Sequence, residues 1–171
     1  MAVRPIVVRG VPVLHKKAKK VSQFDRNLHQ LIDDMIETMR AAPGVGLAAP
    51  QIGVPLRVAV IEVDEKVTEI VNPEIMKLVG EEELDEGCLS VPGYWGRIKR
   101  AQQVVVKARN RNGKEIRLKG EGLFGQALQH ETDHLNGTLY LDHPGVLDTL
   151  VRTRPEKTAE PRDAEQKPNV D

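Results

Sequence analysis

The sequence predicts an α+β fold: a central metal-binding helix packed against antiparallel β-sheets, with an amphipathic helix near the N-terminus. Three observations carry this expectation. Leu28, Leu31, Ile32, Met35, Ile36 and Met39 recur at helical spacing and make one apolar stripe. Leu56 to Val63 and Gln103 to Ala108 are rich in Val and Ile, and Arg111-Asn112-Gly113 joins the second run to residues 114–118, a hairpin signal. Finally, His130-Glu131-Thr132-Asp133-His134 is an H-E-x-x-H segment. Positions i and i+4 share a helix face, so both histidines can reach one metal, with Glu131 beside them to handle protons.

The bulk properties fit one domain. A chain of 171 residues is long enough to bury a real core. With 40% hydrophobic and 29% charged residues it reads as soluble and globular. Aromatics make up only 3%, which argues against a base-stacking surface, and the zero net charge gives no general pull toward nucleic acid or membrane. Sequence-specific nucleic-acid binding is therefore not expected. Residues 1–20 hold Arg4, Arg9, Lys16, Lys17, Lys19 and Lys20 without an acid, and residues 97–119 are also basic. Such runs read as solvated faces, with a transient contact to an RNA-rich partner such as the ribosome as the alternative. Cys88 is the single cysteine, which suits a reducing compartment. Ile6-Val7-Val8 is too short for a signal segment and no window reaches a membrane span, so a cytoplasmic location is expected.

In chain order, residues 1–21 are extended and loop-like. A helix over 24–41 follows, opened by a Ser22-Asp25 capping box and ended by Pro43-Gly44. Gly44 to Gln51 is too small and proline-interrupted for a helix or strand interior, so it reads as a tight turn that allows close backbone approach. Gln51 is its one long polar group. Leu56 to Val63 is a strand. Thr68 to Val71 and Ile75 to Val79 read as two weaker strands separated by Asn72-Pro73, and Glu81 to Glu83 as a solvated turn. The H-E-x-x-H helix runs from Gly122 to Asn136-Gly137. Phe124, Leu128 and Leu135 fall opposite the histidines, and Leu123, Gln126 and Ala127 fall beside them. Thr138 to Leu141 is a short strand or turn. Residues 152–171, rich in proline and charge, are expected to be a disordered tail outside a domain of residues 1–151.

Two histidines need a third ligand. Downstream lie Asp142 and His143, which would make a zincin-like metallopeptidase, although no His sits at position 140 to complete the longer metzincin spacing. Upstream lies Cys88, in Glu86-Gly87-Cys88-Leu89-Ser90. A thiolate is a strong ligand for zinc or ferrous iron, and Gly87 gives the backbone room to turn. A third reading is a structural metal held by protein groups alone.

Three separated segments resemble those of the peptide deformylases. Gly44 to Gln51 is similar to the family's G-x-G-L-A-A-x-Q, Glu86 to Ser90 to E-G-C-L-S, and Gln129 to Gly137 to Q-H-E-x-D-H-L-x-G. The resemblance implies a peptide-deformylase-like fold and hydrolysis of the N-formyl group of N-formylmethionyl nascent chains, releasing formate. It implies that Cys88, His130 and His134 hold one divalent metal, with ferrous iron expected in the cell and zinc, nickel or cobalt able to take its place. Glu131 would move protons, and the Gln51 amide and Leu89 N–H would stabilise the oxyanion. Gly44, Val45 and Gly46 would lie beside the peptide, near Gly87, while Leu84, Leu123 and Ala127 are expected to wall the methionine pocket. Asp133 is expected to anchor the helix, paired with Arg100. Tyr94-Trp95-Gly96-Arg97 fits either the cleft or a surface turn.

Overall fold

The computed structural model describes residues 2–152, and the expected tail lies, beyond Arg152, outside the described residues. The α+β expectation agrees with the structure. The first helix, α1, spans Arg26–Ala41. Its start differs from the expected one: Asp25 is itself the N-cap, its carboxylate accepting from the Leu28 N–H at 3.1 Å, and Ser22 lies outside the helix. The short Asp side chain reaches the third helical N–H directly, so no capping box is needed.

A five-stranded antiparallel sheet follows the order β1 (Gly46–Ala48), β2 (Val58–Val63), β3 (Lys66–Val79), β6 (Gln103–Arg109) and β7 (Glu115–Glu121). A separate hairpin pairs β4 (Glu82–Cys88) with β5 (Val91–Arg100). The second helix, α2, spans Gly122–Leu135. Alternation along β2 divides the core. Val58 and Val60 pack under Leu28, Ile32 and Met35 of α1, whereas Ala59 and Ile61 pack with Leu128 and Leu135 of α2. The sheet thus separates the two helices, and hydrogen bonds from α2 to β4 bring the small hairpin onto the metal-motif helix.

Three local expectations are corrected. Gly44 to Gln51 is not a plain turn: Gly46–Ala48 pairs with β2, and Ala49–Ile52 forms a 3₁₀ turn. Pairing satisfies the backbone that the small side chains leave bare. Asn72-Pro73 does not break the strand either. Asn72 adopts φ 53°, its side chain accepts from the Val21 N–H and donates to the Val21 carbonyl, and register shifts between Val71 and Glu74 and between Ile75 and Lys77 absorb the irregularity. Lastly, Glu82 and Glu83 open β4 rather than forming a turn. They face Arg100 and Lys99 across the hairpin, an opposite-charge register, and Gly80 at φ +75° makes the bend instead. The β6–β7 hairpin follows expectation, with the Asn110 carboxamide oxygen accepting from the N–H groups of Asn112 and Lys114.

Glycines lower the helix propensity of α2, so packing must hold it. At its start Gly125 lies on β7, where a Cβ would sit 2.9 Å from the Gly120 carbonyl carbon and oxygen. At its end the buried Arg57 donates to the Leu135 carbonyl at 2.7 Å and to the Asn136 side-chain oxygen at 2.9 Å. A cation at a helix C-terminus also suits the helix dipole. Replacing Gly125 with Val is expected to force α2 off β7 and destabilise the fold by about 1–3 kcal/mol. Chemical denaturation followed by circular dichroism measures this, and an unchanged midpoint would show that the helix is free to shift.

Candidate functional site

Side chains two apart on a strand share a face, so β4 presents Glu86 and Cys88 together toward α2. α2 presents His130 and His134 one turn apart. The three donor atoms of Cys88, His130 and His134 lie within 4.8 Å of one another, and the Cys88 Sγ is 3.3 Å from His134 Nε2. Sulfur and two imidazole nitrogens are the donor chemistry of a zinc or ferrous site.

The surroundings fit that role. His130 Nδ1 donates to Glu86 Oε2 at 2.5 Å, which orients the ring and leaves Nε2 for a metal. Glu86 also accepts from Arg100 Nε at 3.0 Å and Nη2 at 2.5 Å, and from Gln126 Nε2 at 3.1 Å. Arg100 continues to Asp133 Oδ2 at 2.7 Å, and that oxygen meets His143 Nε2 at 2.8 Å. Asp133 is therefore a helix anchor on Arg100, as expected. The Cys88 sulfur accepts from the Ser90 N–H at 3.4 Å and the Gln51 Nε2 at 3.6 Å.

Burial and charge set the protonation states. Burial alone would raise the Glu86 carboxyl, but His130 and Arg100 outweigh it and hold the group well below the usual carboxylate range. Burial alone would lower His130, but Glu86, with Cys88 and Glu131, raises it well above its ordinary value. Burial, then the neighbouring His130 charge, pushes His134 well below its ordinary value, so it is a neutral imidazole. Burial lifts Glu131 to about 7. Glu131 Oε1 and His134 Nδ1 are buried with no hydrogen-bond partner among the described residues.

A cavity of about 520 Å³ opens in front of these groups. Gly44, Val45 and Gly46 form one wall, Gly87 and Leu89 another, and Leu123 and Ala127 of α2 a third. A Cβ on Gly46 would collide with the Glu131 carboxylate, so glycine there lets β1 touch the helix beside its acid. The Leu89 N–H has no hydrogen-bond partner among the described residues. The Gln51 amide, 1% exposed, is held by the Ala48 N–H at 2.9 Å and donates to Ser90 Oγ at 3.1 Å. Leu84 does not line the cavity, contrary to expectation. It lies four positions before Cys88 in β4, roughly 13 Å along an extended chain. Tyr94 and Trp95 line the cavity, whereas Arg97 turns to Asp85 at 2.8 Å. Gln126, polar for a pocket wall, is occupied by the Asp85 carbonyl and Glu86.

The downstream ligands of the peptidase reading are engaged elsewhere. Asp142 accepts from the Leu139 N–H at 2.8 Å, and His143 is on Asp133. Sequence reasoning gave Glu86 no role. The signal was its position two residues before Cys88, which on a strand means a shared face.

The chain matches the family model for polypeptide deformylase over residues 3–149. It is 51% identical over 158 residues to the peptide deformylase of Dehalococcoides mccartyi, covering 91% of this chain and 95% of that protein. It is 54% identical over 142 residues to that of Heliobacterium modesticaldum, covering 83% and 94%. Among solved structures, a peptide deformylase from Legionella pneumophila superposes with TM-score 0.83 at 50% identity, covering 85% of this chain and 88% of that one. The peptide deformylase from Ehrlichia chaffeensis in complex with actinonin gives TM-score 0.83 at 39% identity, covering 86% and 92%.

If Glu86 orients His130, Glu86→Gln should weaken metal binding about 10–100-fold while the chain stays folded. Equilibrium dialysis against a metal buffer, with circular dichroism as the check on folding, reads this out. Unaltered affinity in a folded variant would remove Glu86 from that role.

Proposed function

The chain belongs to the polypeptide deformylases, and on that premise we propose how its own residues remove the N-formyl group from the N-terminal methionine of newly made polypeptides. It is an enzyme, a metal-dependent hydrolase that releases formate. The observation that carries the assignment of roles is the cluster of Cys88, His130 and His134 beside a buried, unpartnered Glu131 oxygen at the floor of a cavity.

Cys88, His130 and His134 would hold the metal. When bound, a divalent metal supplies Lewis acidity that brings water to a nucleophilic form near neutral pH. We assign ferrous iron in the cell, with zinc, nickel and cobalt compatible with the same donors. Glu131 takes the proton of the attacking water and passes it to the leaving amine; its pKa of about 7 suits both halves of that transfer. The Gln51 amide and the Leu89 N–H face the formyl oxygen as it gains charge, a contribution of about 3 kcal/mol for one such donor. Gly44, Val45 and Gly46 offer backbone to an extended peptide, and Gly87 leaves room for the Trp95 ring on the opposite wall. Leu123 and Ala127, with Leu89 and Trp95, give the methionine side chain an apolar lining.

The catalytic domain is assigned to residues 1–151. No helix among the described residues is long and apolar enough to cross a membrane. We place the enzyme in the cytoplasm, where formylated chains are made, and the lysines of the N-terminal segment are our candidates for a transient ribosome contact.

Two variants test the assignment. Glu131→Gln should lower kcat for formate release by about 10²–10⁴-fold with metal content unchanged. Cys88→Ser should lose most of the metal. Formate release that survives in Glu131→Gln would dismiss Glu131 as the base, and metal retained in Cys88→Ser would return the third ligand to another residue.

A further inference from the structure

β2 covers only the first half of β3. Their pairs run from Val63 with Lys66 to Val58 with Val71. From Glu74 to Val79, β3 pairs with β6 on one edge and faces no strand on the other among the described residues. Ile75, Met76, Leu78 and Val79 are 37%, 47%, 55% and 42% exposed. Glu74 and Lys77 are exposed as well, and among the described residues neither has an ion-pair partner. An apolar edge strand with free backbone groups is a template for another strand.

The register shift decides which strand fits. Across β6 the pairs are Glu74 with Lys107, Ile75 with Val106, Lys77 with Val105 and Leu78 with Val104, leaving Met76 as the extra residue. Opposed side chains share a face, and faces alternate along β6. Glu74 and Lys77 therefore lie on one face, and Ile75 and Leu78 on the other. In a regular strand, Glu74 and Lys77 would be on opposite faces. Val104 and Val106 are fully buried in the core cluster of α2, so Ile75 and Leu78 extend that apolar face beyond its cover.

Antiparallel pairing of two identical strands in one sheet requires a two-fold axis normal to the sheet, and that axis keeps each face on its own side. With the axis at Ile75-Met76, Glu74 of each copy meets Lys77 of the partner subunit on one face, making two ion pairs. On the other face, Ile75 and Leu78 of both copies form one apolar strip. Pro73 lacks an N–H and stops the pairing there, so the contact is short.

We propose that the Glu74–Lys77 stretch of the β3 edge pairs antiparallel with the same stretch of a second copy of this chain, with Leu78 and Val79 flanking it, forming a weak, reversible dimer. Sedimentation velocity from about 1 to about 100 μM is the test, since a short interface implies affinity in that range. The mean mass should rise with concentration toward twice that of the chain. Glu74→Lys or Lys77→Glu alone sets like charges opposite each other twice and should weaken association about tenfold, and the double exchange should restore it. Formate release, whose cavity excludes this segment, should be unchanged in all three and serves as the check on folding. Leu78→Ser is an independent variant, also expected to weaken association. A chain that stays monomeric at about 100 μM, or a double exchange no better than the singles, overturns the proposal.

Discussion

The Glu86 carboxylate is the constraint on which the arrangement of the site depends. It lies on β4, its cation Arg100 on β5, and the imidazole it orients on α2. The side chains of Arg100 and Glu86 are 3% and 4% exposed. Such a pair is costly to desolvate and is tolerable only when its remaining hydrogen bonds are made. Here they are: one Glu86 oxygen receives Arg100 Nε and Gln126, and the other receives Arg100 Nη2 and His130. A one-residue slip of β4 would turn Glu86 and Cys88 away from α2 together. The ion pair therefore selects the register that presents the Cys88 sulfur.

α2 itself would not persist without such contacts. Gly125 against Gly120 sets one end, and Arg57 on the terminal carbonyl sets the other. Between them Gln129 clasps the backbone of Ala101, accepting from its N–H at 2.9 Å and donating to its carbonyl at 3.0 Å. That clasp ties the helix to the link between β5 and β6. The donors of the metal site thus sit on elements held from several directions, as fixed ligand geometry requires.

What was legible in the sequence was whatever repeats locally. The stripe from Leu28 to Met39, the Asn112-Gly113 hairpin and the H-E-x-x-H helix each announce themselves through spacing. Misreadings came where a distant partner overrode a local signal. Asn72-Pro73 reads as a break, yet the backbone of Val21, far away in sequence, takes both ends of the Asn72 side chain and lets β3 continue. Glu82 and Glu83 read as a solvated turn because their cationic partners arrive only with the β5 pairing. The same blindness hid Glu86 in the site. It was given no role because its partner Arg100 lies fourteen positions on and meets it only in the fold. Leu84 was misplaced for a simpler reason: an apolar residue near Cys88 in sequence is carried well away by an extended strand.

Stability and chemistry pull in opposite directions at Glu131. A neighbouring donor would satisfy Oε1, lower its pKa and remove the cost of an unpaired buried oxygen. The fold supplies Glu86 with that treatment and withholds it from Glu131, one residue along α2 from the imidazole that Glu86 orients. Two carboxylates close together thus have opposite environments, one held ionised and one lifted to about 7. The difference comes from what each carboxylate meets. Glu86 meets Arg100, whereas Glu131 meets the bare backbone of Gly46. A side chain at position 46 would displace the Glu131 carboxylate, and no residue within the helical motif supplies that space. The base of the H-E-x-x-H segment is therefore placed as much by a glycine in β1 as by the helix that carries it.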